Sequence, residues 1–227
     1  MIFYAPDCTS KHDSYTLSEA ESKHCIKVLR NKVGNEIEII NGKGWQFLCK
    51  IVADHHKRCE VQIIKKTQHN RPSNELHIAM AIPKSSDRLE WFMEKATEIG
   101  IHRLSLINCE HSERTTFNEK RLQKITISAL KQSKRYHLPI IEGPIPFDEF
   151  IKLNPKGFIG HCNMDDKIRA NKMKETMAFL IGPEGDFSIQ EIQKAMNSGY
   201  ISVKLSENRL RTETAALSAV IYLSDLV

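Results

Sequence analysis

The sequence has no apolar run that approaches the ~20 residues of a membrane-spanning helix. Its first residues, MIFYAPDCTSKHDS, also lack the charged segment followed by an apolar segment that marks a signal peptide. These two absences leave the sequence without the usual signals for membrane insertion and secretion. We therefore expect a cytoplasmic protein without a membrane partner.

Paired cysteines are missing as well, since the 227 residues contain six cysteines and no Cys-x-x-Cys pair. The closest approach to a set of metal ligands is HHKRC at residues 55–59, which has no matching second half. The spacing favours free thiols and indicates no metal site. A P-loop and a G-x-G-x-x-G turn are also absent, so neither common nucleotide-binding signal is present.

Hydrophobic periodicity changes near residues 66–74. Before this point, a helix over 17–29 with a capping box from Ser18 and Glu21 precedes segments whose apolar residues alternate in twos. That pattern predicts a small antiparallel β meander or barrel. After Pro72, short apolar segments alternate with helices, which predicts an α/β domain with a mainly parallel sheet.

The periodicity predicts two domains, at 1–70 and 71–227. The predicted strands of the second domain are 75–82, 104–108, 157–161, 177–182 and 201–205, and its predicted helices are 87–99, 118–134, 189–198 and 213–226. Ligands bind beyond the carboxyl ends of the strands in sheets of this kind.

Basic residues exceed acidic ones, 33 to 28, which gives a formal net charge of +5. One face of the predicted helix 118–134 and the residue after it hold Lys120, Lys124, Lys131, Lys134 and Arg135. An ordinary solvated face is the alternative for such a helix. Because the first domain is also rich in lysine and arginine, a nucleic-acid partner is about as well supported as that alternative.

The stretch FLIGPEGDFSIQEI, residues 179–192, places Glu184 between two glycines. A carboxylate there would repel phosphate, so the loop favours a neutral or cationic ligand. The alternative is a strand-to-helix turn in which glycine and proline serve only geometry. Ser188 and Glu191 predict a capping box at the helix that follows.

The stretch LSENRLRTETAALSAV, residues 205–220, places Arg209 and Arg211 before a helix predicted to be capped by Thr212. This last helix is apolar nearly all round, which indicates burial either in the core or against another subunit.

IGPEG at residue 181 followed by LRTETA at residue 210 resembles the SPOUT class of methyltransferases, and specifically the RsmE family. That family methylates N3 of a uridine in bacterial 16S ribosomal RNA. HCIKVLR (24–30), DRLEWFMEKATEIGI (87–101), SER (112–114) and QSKRYHLP (132–139) also resemble the family, so the similarity runs along the whole chain.

The resemblance implies an N-terminal PUA-like antiparallel β-barrel and a C-terminal SPOUT α/β domain with a trefoil knot. It implies S-adenosylmethionine as the cofactor, 16S rRNA in the 30S ribosomal subunit as the partner, a homodimer, and no binding to DNA. The cofactor-binding residues would be Gly160, Ile181, Gly182, Pro183, Glu184, Gly185, Leu205, Ser206, Leu210 and Thr212. The RNA-binding residues would be Arg30, Lys120, Lys124, Lys131, Lys134 and Arg135.

For catalysis, our hypothesis is that Arg211 stabilises negative charge on the base and that Glu184 or Glu213 accepts the proton. A salt bridge that fixes the C-terminal segment is the alternative for Arg211. The family usually has glycine where Asp186 and Ser206 stand, and often arginine where Asn208 stands. Two other functions stay open: a SPOUT methyltransferase that acts on tRNA or a ribose 2′-hydroxyl, and a non-catalytic RNA-binding protein.

Overall fold

The computed structural model describes residues 1–72, 74–163, 167–169 and 177–224. The chain forms two compact units. The first unit comprises Met1–Arg71 and Leu130–Leu138, and the second comprises Pro72–Ala129 and Pro139–Val227. The first unit therefore includes a segment from the middle of the chain in addition to the N-terminal residues.

A five-stranded sheet in the order β1-β3-β4-β5-β2 forms the first unit. β1 pairs with β3 in parallel and the other pairs are antiparallel. The strands are β1 (Ile2–Tyr4), β2 (Ser14–Thr16), β3 (Glu36–Ile40), β4 (Trp45–His55) and β5 (Arg58–Gln68). The alternating segments predicted the meander of β3, β4 and β5, whereas the short strands β1 and β2 were not predicted.

The predicted first helix is α1 (Glu19–Lys23), continued by a π-helical turn (His24–Val28). The Ser18 hydroxyl accepts a hydrogen bond from the Glu21 amide at 3.3 Å, as a helix cap does. The reciprocal half of the predicted capping box is wrong, because the Glu21 carboxylate instead accepts from the Tyr4 amide and from Lys131 Nζ. Glu21 thus joins α1 to two other parts of the first unit.

The segment Leu130–Leu138 packs on the first unit through apolar and aromatic contacts. Leu130 is fully buried in a cluster with Ile2 and Ile40. The Tyr136 ring stacks on His69 with ring centroids 3.5 Å apart. These contacts explain why a segment after residue 129 belongs with the N-terminal strands.

A seven-stranded, fully parallel sheet in the order β10-β12-β9-β11-β6-β7-β8 forms the second unit. The strands are β6 (His77–Ala81), β7 (Arg103–Asn108), β8 (Ile140–Pro146), β9 (Gly157–Gly160), β10 (Ile168–Arg169), β11 (Ala178–Ile181) and β12 (Tyr200–Lys204). The parallel sheet confirms the predicted α/β class, but the two edge strands β8 and β10 were not predicted.

Helices cover this sheet on both faces. They are α2 (Ser86–Ile99), α3 (Glu119–Gln132), α4 (Phe147–Leu153), α5 (Ile189–Asn197) and α6 (Thr212–Ser224), of which α4 was not predicted. Helix α2 ends at Gly100, whose φ of 117° confirms the predicted glycine stop. Among the described residues, no helix is long and apolar enough to cross a membrane.

Helix α6 buries much of its apolar surface inside the second unit. Ala216, Ala219, Val220 and Leu223 are fully buried in the same core cluster as residues of α2 and β6. Burial in the core therefore accounts for this face, while Ile221 stays exposed. The end of the predicted helix, residues 225–226, lies outside the described residues.

Candidate functional site

A cavity of about 690 Å³ lies beyond the carboxyl ends of the neighbouring strands β9, β11 and β12. Its volume is within the range of small-molecule binding sites. The predicted residues in its wall are Gly160, Ile181, Gly182, Pro183, Glu184, Leu205, Ser206, Leu210, Arg211 and Thr212. Because three parallel strands end at one edge of the sheet, segments distant in sequence converge there.

Two predicted site residues lie outside this wall. Gly185 is exposed, and a Cβ built on it would lie 3.1 Å from the Cβ of His111. Glu213 is buried in the first turn of α6, next to the wall residue Thr212. The structure therefore brings together ten of the predicted residues and places these two behind or beside the cavity.

The turn after β11 is held tightly against the start of α6. A Cβ built on Gly182 would lie 3.1 Å from both the ring and the amide nitrogen of Phe187, so a larger residue would require Phe187 to shift by a few tenths of an ångström. The Thr212 hydroxyl donates to the Gly182 carbonyl at 3.1 Å. The predicted cap role of Thr212 is wrong, since Thr212 is the first residue inside α6 and its hydroxyl reaches the turn.

Asp186 ties the turn after β11 to the segment after β9. Its φ of 65° is left-handed, which explains why glycine suits this position. Its carboxylate accepts from the Cys162 amide at 2.7 Å and from the Phe187 amide at 2.8 Å. The departure from glycine thus adds a link between two parts of the cavity wall.

The other two departures have small structural effects. Ser206 is not among the described residues with a left-handed φ, and its hydroxyl accepts from the Asn208 amide at 3.1 Å. Arg209 donates to the Glu184 carbonyl at 2.9 Å, so the guanidinium next to Asn208 reaches the turn after β11.

Arg88 on α2 lies between the two acids that were proposed as proton acceptors. Its Nη1 is 3.4 Å from Glu184 Oε1, and its Nε is 3.7 Å from Glu213 Oε1. Glu184 Oε1 also accepts from the Lys84 amide at 3.1 Å. Arg88 was not predicted as a site residue. The one feature of the sequence that could have indicated it is its place in DRLEWFMEKATEIGI, a segment that resembles the family.

Arg211 is exposed on the cavity wall. Within the part of the chain that the structure describes, its guanidinium has no acidic group within 4.0 Å. The salt bridge considered for Arg211 is therefore not formed with a described residue. A cation at a cavity wall that is not paired with a described acidic group is available to a ligand.

His161 is a buried wall residue that the sequence did not single out. Its Nε2 lies 3.0 Å from Ser202 Oγ, and its Nδ1 has no hydrogen-bond partner within the described ranges. Burial lowers the pKa of His161, so the ring is neutral at pH 7. The next residue, Cys162, is the one exposed thiol among the six free cysteines.

The chemistry of the wall fits S-adenosylmethionine. Val203, Leu205 and Leu210 provide apolar surface suited to a purine ring, and Glu184 and Asp186 provide negative charge suited to a ligand with a sulfonium or an ammonium group. Across the described ranges, no group of three or more histidine, cysteine or acidic residues could hold a metal ion.

The predicted RNA-binding residues differ in their availability. Lys131 Nζ is 2.8 Å from Glu21 Oε1 and lies 5.8 Å from the Phe3 ring centroid, so its charge is already paired. Arg135 is half-buried, and burial lowers its pKa. The exposed members are Arg30, Lys120, Lys124 and Lys134.

Two protein families match the sequence. The RNA methyltransferase domain matches residues 69–224, and the RNA methyltransferase PUA domain matches residues 17–64. The ribosomal RNA small subunit methyltransferase E of Buchnera aphidicola subsp. Acyrthosiphon pisum (strain APS) is 30% identical over 229 residues, covering 96% of this chain and 90% of that relative.

Solved structures are similar along nearly the whole chain. A probable rRNA-methyltransferase from Porphyromonas gingivalis has a TM-score of 0.88 and 34% identity, with 99% of this chain and 97% of that chain covered. Ribosomal RNA small subunit methyltransferase E from Neisseria gonorrhoeae, bound to S-adenosyl methionine, has a TM-score of 0.87 and 26% identity, with the same coverage.

Proposed function

The chain belongs to the ribosomal RNA small subunit methyltransferase E family, and we propose that it methylates N3 of a specific uridine in 16S rRNA, using S-adenosylmethionine. The observation that carries this proposal is the cavity wall, which joins the turn after β11 to the residues before α6. S-adenosylmethionine supplies a methyl group on a sulfonium, so the enzyme chiefly has to align the base with that group.

Arg211 is the proposed cation beside the base. Its exposed guanidinium on the cavity wall can stabilise negative charge that develops on the uracil oxygens as N3 loses its proton. Glu184 is the proposed proton acceptor, because it lines the cavity while Glu213 is buried and lies outside the cavity wall. The cofactor would be surrounded by the remaining predicted wall residues, which are Gly160, residues 181–183, Leu205, Ser206, Leu210 and Thr212.

The first unit would position structured RNA. The PUA domain match and the exposed cations Arg30 and Lys134 of the first unit support binding through phosphate contacts and RNA shape. The exposed Lys120 and Lys124 on α3, in the second unit, would add further phosphate contacts. We further propose that the first sheet closes as a PUA-like barrel and that the C-terminal segment forms a trefoil knot. The active form would be a cytoplasmic homodimer that binds the 30S subunit and no DNA.

Methyl transfer from labelled S-adenosylmethionine tests this function. Purified protein is incubated in parallel with 30S subunits from cells that lack the modification, with free 16S rRNA and with tRNA. We expect label in 16S rRNA, either in the subunit or free. Label in tRNA alone would replace the proposed substrate, and cofactor binding without transfer to any RNA would indicate a non-catalytic relative.

A further inference from the structure

The strongest unassigned feature of the second unit is a buried carboxylate with an orphan oxygen. The Glu213 side chain is 9% exposed, and its Oε1 is 3.7 Å from Arg88 Nε. Its Oε2 is buried and has no hydrogen-bond partner in the described part of the chain. A buried charge is costly unless it is paired, and Arg88 is the described cation that pairs with Glu213.

The same guanidinium also holds Glu184. Arg88 Nη1 is 3.4 Å from Glu184 Oε1, which accepts the Lys84 amide as well. Arg88 lies in the first turn of α2 and the Lys84 amide lies just before the N-cap residue Ser85, so both donors come from one stretch of the chain. Glu184 is thereby fixed by one helix end although it belongs to the turn after β11.

Arg88 thus connects three elements around the cavity. It lies in the first turn of α2, Glu184 lies in the turn after β11, and Glu213 lies in the first turn of α6. Arg88 itself lines the cavity with a side chain 34% exposed, so the connection lies at the wall and not beneath it. A planar guanidinium can bind two carboxylates at once, which an ammonium group does in a less defined geometry.

We propose that Arg88 is a positioning residue for methyl transfer, a role that rests on the proposed function. It aims the Glu184 carboxylate at the cavity, and Glu213 serves as its buried counter-ion. Most residues that line the cavity belong to the segments after β9, β11 and β12, so the cavity keeps most of its wall without Arg88. Loss of Arg88 therefore affects the rate of transfer more than the binding of either substrate.

The test compares Arg88→Lys, Arg88→Ala and the double variant Arg88→Ala/Glu213→Gln. We expect Arg88→Ala to lower kcat on the order of a hundredfold, with KM for RNA within about twofold of the original value. Arg88→Lys should retain more activity than Arg88→Ala because it keeps the positive charge. Lys194→Ala, which removes an exposed ion pair with Asp148, is the control and should leave kcat unchanged.

The double variant separates positioning from folding. Arg88→Ala should lower the thermal midpoint, because it leaves the buried carboxylate of Glu213 without its counter-ion. Adding Glu213→Gln removes that charge and should restore the thermal midpoint, while kcat stays low because Glu184 is still not held. If kcat recovers together with the thermal midpoint, or if Arg88→Ala retains full kcat, the proposal is overturned. An inactive unmodified enzyme would instead contradict the proposed function itself.

Discussion

At the scale of single residues, Arg211 is the most direct link between structure and chemistry. We expect Arg211→Lys to lower kcat by about a hundredfold to a thousandfold, the usual cost of removing one preorganised group that stabilises developing charge. The affinity for S-adenosylmethionine and the thermal midpoint should change little, because Arg211 is exposed and has no described ion pair.

Methyl-transfer reactions that are quenched at a series of times measure kcat. A thermal melt of the same preparation measures the thermal midpoint. A variant that keeps near-original kcat but melts earlier would mean that Arg211 only fixes the C-terminal segment. Arg211→Lys keeps the positive charge but loses the planar set of N–H donors that arginine presents. It therefore tests the need for that donor geometry, whereas Arg211→Ala would remove the charge as well.

Site residues that lie in one consecutive segment were predictable from the sequence, whereas their partners in distant segments were not. Glu184 and Arg211 stood out because unusual residues surround them in short stretches. Arg88 did not, since it looks like an ordinary polar residue of an amphipathic helix and its partner Glu184 is 96 residues away. Which distant charges meet depends on the order of strands in the sheet, and periodicity does not reveal that order.

At the scale of elements, Asp186 links the turn after β11 to the segment after β9. We expect Asp186→Gly to weaken binding of S-adenosylmethionine roughly tenfold, because two amides lose a charged acceptor. Asp186→Asn should lose less, since asparagine tolerates a left-handed φ and keeps one acceptor oxygen. Titration calorimetry measures both affinities, and unchanged binding by the glycine variant would show that the link is not needed.

A buried polar network crosses three strands of the second sheet. The Ser105 hydroxyl donates to Glu142 on β8 and therefore accepts from His77 Nε2 on β6, 2.8 Å away. Burial lowers the pKa of His77 to about 4, and the charge of Arg103 adds to this effect. The folded protein therefore favours the neutral form of the His77 ring.

This network predicts a loss of stability in acid. The unfolded chain binds a proton on His77 near its ordinary pKa of 6.5, whereas the folded chain does so only near 4. Stability is therefore fully present above that ordinary value and falls as the pH drops, by about 2 kcal/mol between about pH 7.5 and about pH 5. Urea unfolding of the original protein and of His77→Gln measures it. The difference in unfolding free energy between the two should shrink in acid, and a constant difference would contradict this account.

Central elements were predictable from the sequence, and edge elements were not. β6, β7, β9, β11 and β12 are short apolar segments bounded by turn residues, as buried parallel strands are. β8 has the sequence IIEGPIP, in which glycine and two prolines read as a loop. Proline is tolerated there because β8 lies at the sheet edge, a position that a single sequence does not reveal.

At the scale of the whole molecule, RNA binding should depend strongly on salt. Lys124 is exposed, whereas Lys131 is paired with Glu21. We expect Lys124→Ala to reduce the slope of log affinity against log salt by about 1, and Lys131→Ala to lower the thermal midpoint with little change in slope. Filter binding over a salt series measures the slope, and equal slopes for the original protein and Lys124→Ala would remove Lys124 from the RNA surface.

The two-part organisation was partly visible in the sequence. The change of hydrophobic period near residues 66–74 indicated where the first unit's strands end. It did not indicate that Leu130–Leu138 belongs with that unit, because this segment begins inside α3, a helix with an ordinary amphipathic pattern. Contacts such as Leu130 with Ile40 form only after the chain has folded, so they left no local signal.

The most direct test of the central claim is nucleoside mapping of 16S rRNA after reaction with the purified enzyme. The RNA is digested, and mass spectrometry with a synthetic N3-methyluridine standard identifies the methylated nucleoside and its position. We expect N3-methyluridine at one site, formed about a hundredfold or more slowly by Arg211→Lys. A methyl group on a ribose hydroxyl, on another base or on many uridines would contradict the account.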